Sequence, residues 1–152
     1  MMIIRKANVN DLNDIYQLMD SVDNKWFFKD DREYVYRHVE EEGFILVVDD
    51  DEIVAYLMVH YVDYDEDVDL YHVVYMDSVG VLESMRGHSL MKKLILYAED
   101  VLRKNGYKYF MATVHPDNIY SYRVLNCLGY NRVKTVYKYN HLKRYLLLKS
   151  ED

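Results

Sequence analysis

From residue 71 onward, strand-like and helix-like apolar patterns take turns, and that alternation limits the fold more than any other feature of the chain. "YHVVYMDSVGVL" reads as a strand, and residues 88–104 place Leu90, Leu94, Tyr97, Ala98, Val101 and Leu102 on one helical face. Asn105-Gly106 stops that helix, and "YKYFMATV" returns as a strand. "HPDN" then turns the chain, with Asp117 or Asn118 as N-cap of the short helix "YSYRVLNCL", which Gly129 closes. "NRVKTVYKYN" and "LKRYLLLK" make a final strand pair.

The first half is simpler. "MIIRKANVND" opens with a strand, and Asn10 or Asp11 caps a helix in which Leu12, Ile15, Leu18 and Met19 recur at helical spacing. A weaker helix is predicted over residues 30–41, with Tyr34, Tyr36 and Val39, ending before Gly43. "GFILVVDDDEIVAYLMVHYV" reads as two strands joined by the turn "DDD", and the acidic "DYDEDVD" as a loop. The order β-α-α-β-β-β-α-β-α-β-β describes an α/β protein with a mixed sheet carrying helices on its faces.

At 152 residues, half of them hydrophobic, the chain is expected to form one domain over residues 1–152. The one cysteine, Cys127, excludes an internal disulfide and a multi-cysteine zinc site, and inside its helix it reads as a small buried apolar residue. A net charge of −7 argues against nucleic acid as a partner, because phosphate neutralisation needs basic clusters. No apolar run approaches the roughly 18 residues of a membrane helix. "MMIIRKANVND" also lacks the apolar core of a secretory signal, so a cytoplasmic protein without a membrane partner is expected. Asp63, Asp65, Asp67 and Asp69 alternate as in a calcium loop, but the required glycine and closing glutamate are missing, and no metal is expected.

Two motifs carry chemistry. In "VGVLESMRGHSLMKKLI" a strand turns through Arg86-Gly87 directly into a helix. Such a loop points unpaired backbone N–H groups at one spot, and the helix dipole adds positive potential, so it suits a pyrophosphate. The second is "HPDNIYSYRVLNCLGY". With the order of elements, these motifs resemble the GNAT superfamily of acetyl-CoA-dependent N-acetyltransferases over nearly the whole chain. The family loop reads Arg/Gln-x-x-Gly-x-Gly/Ala, and here it is Arg86-Gly87-His88-Ser89-Leu90-Met91, with Ser89 and Met91 at the two small positions. The later helix is similar to the branch that acetylates protein N-termini, through Asn118, Ser121, Arg123, Val124 and Leu125.

The resemblance implies a mostly antiparallel sheet of about six or seven strands flanked by about four helices, with a splayed cofactor cleft. It also implies acetyl-CoA as cosubstrate, held by Val79 and Val81 along the pantetheine arm, by residues 86–91 at the pyrophosphate, and by Asn118 and Ser121 across the cleft. Gly80, between the two valines, fits a local irregularity or a close backbone approach. The acceptor would be a primary amine, either a small molecule or a peptide or protein N-terminus, attacked directly in a ternary complex by a monomer or homodimer. Many relatives carry an acid tyrosine seven residues after the asparagine, where this chain has Leu125. Tyr122, within one turn, is the candidate acid or a packing residue. Asp77 on the central strand is either the base near the amine or a structural carboxylate at a bulge. His60, His72 and His115 have suitable intrinsic pKa values, yet nothing in their spacing aims them at a cleft. "KWFFKDD" is either a wall of the acceptor site or helix packing. The alternative to an enzyme is a catalytically degenerate CoA-binding sensor or interaction module on the same fold.

Overall fold

The computed structural model describes residues 1–22, 32–138 and 141–151. Along the chain run β1 (Ile3–Lys6), α1 (Leu12–Ser21), α2 (Arg32–Glu40), β2 (Gly43–Asp49), β3 (Ile53–Asp65) and β4 (Leu70–Val81). They are followed by α3 (Leu90–Lys104), β5 (Tyr109–Val114), α4 (Ile119–Cys127), β6 (Asn131–Lys138) and β7 (Leu142–Ser150). The element order is the expected one. "KWFFKDD" lies outside the described residues. No helix among the described residues is long and apolar enough to cross a membrane.

The seven strands form one sheet in the order β1-β2-β3-β4-β5-β7-β6. Every neighbouring pair is antiparallel except β4 and β5, which α3 joins as the crossover that parallel strands require. The β4–β5 pairing is short, running only from Val73↔Tyr109 to Tyr75↔Met111. Beyond Tyr75, β4 continues beside β3 while β5 continues beside β7, so the two central strands part and a cleft opens between them.

Helices cover both faces. α3 buries Leu90, Met91, Leu94, Ile95, Ala98 and Leu102 against Leu46, Val48, Leu57, Val59 and Val74 of the sheet. Tyr97, expected on this face, is exposed, and Glu99 takes an inward place instead. Glu99 is completely buried and accepts hydrogen bonds from Tyr130 Oη (2.6 Å), Arg103 (2.9 Å) and Lys149 (2.9 Å). This network ties α3 to β7 and to the turn after α4, and burial, reinforced by the Glu99 carboxylate, pushes the Tyr130 hydroxyl pKa far up.

On the other face α1 packs Leu12, Ile15, Leu18 and Met19 against Ile45, Val47, Tyr56 and Met58. Asp11 is the N-cap residue of α1, as expected, but its side chain makes no cap bond there: it accepts from the Asn8 N–H (2.8 Å) and pairs with Arg5 (2.8 Å), closing a capping box with Asn8 over the 3-10 turn Val9–Asp11. In α2 the inward residues are Val35 and His38, while Tyr36 faces water. Cys127, read as buried, is exposed, because α4 turns only Leu125 fully inward.

Candidate functional site

Among the described residues, the splay of β4 from β5 leaves one edge of residues 76–81 without a strand partner, and a cavity of about 400 Å³ lies along it. Its walls come from three places. β4 supplies Val79, Gly80 and Val81; the loop into α3 supplies Met85, Arg86, Gly87, Ser89, Leu90 and Met91; and the start of α4 supplies Asn118, Tyr120 and Ser121. Val22, just past the end of α1, also lines it. Nine of the ten residues expected around a cofactor therefore surround one space; the exception is His88, whose Nδ1 turns back to the Met85 carbonyl at 3.1 Å. Val22 and Met85 have no sequence signal; Tyr120, near the acid position in sequence, lines the cavity whereas Tyr122 does not.

The loop has the backbone that anion binding needs. Lys93 is the first residue of α3 to donate back, to the Ser89 carbonyl at 3.0 Å, so the N–H groups of Leu90, Met91 and Lys92 have no acceptor within the helix. Gly87 sits at φ +90°, where a side chain would be strained. Ser89 takes the same left-handed region (φ +58°, ψ +32°) without a glycine's freedom, and its hydroxyl does not cap the helix. Met91, the other substitution in the loop motif, finds room by burying its side chain beside Leu94 and Ile95. We predict that Ser89→Gly raises stability by up to about 1 kcal/mol, since relief of left-handed strain exceeds the entropy that glycine gives the unfolded chain. A urea midpoint that falls for this variant would contradict that strain.

Across the cleft, Asn118 is the N-cap of α4 and accepts from the Ser121 N–H at 3.3 Å. That bond uses one of the two acceptor positions of the oxygen and none of the amide N–H groups. Tyr122, two residues on from the cavity-lining Tyr120, is not part of the lining and packs edge-on against Tyr145, with ring centroids 5.9 Å apart. Leu125, at the position of the acid tyrosine in many relatives, is buried in the main core.

Asp77 lies at a β-bulge: Met58 pairs with Ser78 and Val59 with Met76, so Asp77 is the extra residue of β4. It is two residues up the strand from the cavity wall and accepts a hydrogen bond from Tyr34 Oη of α2 at 2.8 Å. Next to it are two histidines. His38 Nε2 and His60 Nδ1 are 2.7 Å apart, and His38 Nδ1 is 2.7 Å from the Tyr34 carbonyl. Burial pushes the His60 pKa down, against the opposing pull of Asp77. His38 was missed from sequence because its helix has a weak pattern; a histidine at the i+4 position from Tyr34 was the available signal. His72 stacks on Tyr107, and His115 caps the turn by accepting from the Asp117 N–H at 3.0 Å, so neither joins this group.

The family model described as Acetyltransferase (GNAT) family matches residues 9–130. Arabidopsis thaliana NAA60 in complex with a bisubstrate analogue aligns with a TM-score of 0.81 at 20% identity, covering 100% of both chains. The same Arabidopsis protein in complex with acetyl-CoA gives 0.80 at 17% identity over 99% of this chain and 98% of its own. The ribosomal-protein-S18-alanine N-acetyltransferase from Escherichia coli gives 0.80 at 15% identity over 99% and 94%. No curated protein matches by sequence. At these identities the structural likeness is one of fold.

Proposed function

The chain belongs to the GNAT acetyltransferase family, and from that premise we propose that it moves acetyl from acetyl-CoA to a primary amine by direct attack in a ternary complex, as a single catalytic domain. The observation that carries this reading is the cavity itself: an unpaired strand edge, an open helix N-terminus and Asn118 converge on one space. In the proposed complex the backbone of Val79 and Val81 pairs with the pantetheine arm as an added strand would. The N–H groups of Leu90, Met91 and Lys92, with Arg86, hold the pyrophosphate. The cosubstrate supplies the activated acetyl group as a thioester.

Asp77, held by Tyr34, is the carboxylate we place beside the acceptor ammonium. Its charge favours a cationic group at the bulge, where β4 leaves β5. We assign Tyr122 no role, because its ring packs edge-on against Tyr145 and it does not line the cavity. Protein N-termini are the first acceptors to test, because one structural neighbour is a ribosomal-protein-S18-alanine N-acetyltransferase.

A second reading, a CoA-binding module without catalysis, rests on Leu125 standing where many relatives hold an acid hydroxyl. Calorimetric binding of acetyl-CoA, followed by thiol release with a panel of amines and N-terminal peptides, separates the two. Arg86→Ala is expected to weaken acetyl-CoA binding by about 1–3 kcal/mol, the loss of a charge-assisted hydrogen bond. Unchanged affinity in that variant would remove the loop from the site.

A further inference from the structure

The pair formed by His38 and His60 lies outside the cofactor cavity, and its hydrogen bonding fixes where its protons sit. A carbonyl oxygen only accepts, so the 2.7 Å approach of His38 Nδ1 to the Tyr34 carbonyl places a proton on that nitrogen. A neutral His38 then has a bare Nε2, which accepts from His60 Nδ1 at 2.7 Å. His60 is thereby held in the tautomer whose Nε2 carries a lone pair. His38 is completely buried, with no water to compete for these bonds, whereas His60 is only partly buried.

Position adds to the tautomer. His60 pairs in register with Tyr75, the last β4 residue to bond β5, and Asp77 follows two residues later at the bulge. Tyr34 spans the group, with its hydroxyl on Asp77 and its ring centroid 6.2 Å from that of His60. Val22 at the end of α1 also lines the cavity, so the cleft reaches the face on which these residues lie.

We propose that His60 Nε2 is the base that takes the proton from the acceptor ammonium, with His38 as the positioning residue that sets its tautomer. This inference rests on the acetyl-transfer reading. One proton moves from nitrogen to nitrogen: the ammonium becomes a neutral amine with a free lone pair, and His60 becomes an imidazolium. The groups facing that imidazolium are Asp77 on β4, Glu42 after α2 and His38 on α2, with Tyr34 alongside. Asp77 and Glu42 stabilise the new charge; Glu42 is itself shared with Arg37 at 3.1 Å. Burial keeps His60 neutral and able to accept at neutral pH.

The test has two arms. Long-range ¹H–¹⁵N NMR of the histidine rings should show protons on Nδ1 of both His38 and His60. His38→Gln, which retains an acceptor, should keep the His60 tautomer, and His38→Phe should lose it. A His60 protonated on Nε2 in the wild type overturns the proposal. In the second arm, kcat/KM for the amines turned over with acetyl-CoA should fall on the acid side at the His60 pKa measured by NMR. His60→Gln should lose roughly 10²–10⁴-fold in kcat at pH 7 and the acid limb with it, while binding acetyl-CoA as tightly as the wild type. An acid limb that survives in His60→Gln also overturns the proposal. Failure to turn over any amine would count against acetyl transfer, and the NMR arm would still decide the tautomer.

Discussion

Glu99→Ala is expected to destabilise the protein by about 3–5 kcal/mol, because it removes the fully buried carboxylate on which three donors converge. Glu99 is fully buried, and Tyr130 Oη, Arg103 and Lys149 all donate to it within 2.9 Å. Alanine leaves the Tyr130 hydroxyl buried without this acceptor and opens a void beside Lys149. Arg103 is 39% exposed and also holds Glu151 at 2.6 Å, and Lys149 lies 3.7 Å from the same Glu151 oxygen, so both cations keep an anion and the lower part of the range is expected. Tyr130→Phe should cost only about 1 kcal/mol, since Glu99 keeps two cationic donors. Thermal and urea unfolding of both variants measure this, and the alanine variant should melt roughly 6–20 °C lower. A loss under about 1 kcal/mol would show that the cations simply move into water. Acetyl-CoA affinity at 25 °C should change little, because Glu99 lies about 14 Å along α3 from Leu90.

Glu99 also illustrates what the sequence hides. Local periodicity identified α3, its stop at Asn105-Gly106 and the loop before it, because those features depend on neighbours within a turn or two. The same periodicity put Tyr97 inside and gave no place to Glu99; the partners that hold Glu99 inside, Tyr130 and Lys149, come from 31 and 50 residues away. The hydrophobic pattern could not register a charge whose burial is compensated across the fold. His38 and His60 follow the same rule, for the bond that gives each a defined role spans 22 residues and two kinds of element. The cavity beside β4 is more legible. Nine of the ten residues expected there line one space, because they sit in two short motifs whose placement depends on local backbone rather than on distant side chains. Asp77 falls between these cases: strand membership was readable, but its being the bulged residue depends on register with β3. Gly80 was read as an irregularity or a close approach, and it is the second, made to a side chain of β3.

That approach supports the second large effect. Tyr56 of β3 is fully buried, shares a hydrogen bond with Ser78 at 2.9 Å, and lies flat enough that a Cβ on Gly80 would come within 2.4 Å of its Cε1. Tyr56→Ala should cost about 3–5 kcal/mol through the cavity it leaves, as for other buried aromatics. Gly80→Ala should cost about 1–3 kcal/mol by overpacking against Tyr56, and because Gly80 also lines the cavity, a shift of the strand away from the ring would narrow that space. Acetyl-CoA affinity should therefore fall with Gly80→Ala. In the double variant the added methyl enters the space vacated by the ring, so the two losses should combine to about 1–2 kcal/mol less than their sum, with affinity partly restored. Unfolding and calorimetry on the four proteins of this cycle measure both quantities. Losses that add within about 0.5 kcal/mol would mean that the ring and the glycine are not coupled. The cleft wall would then owe its position to the β3–β4 pairing alone.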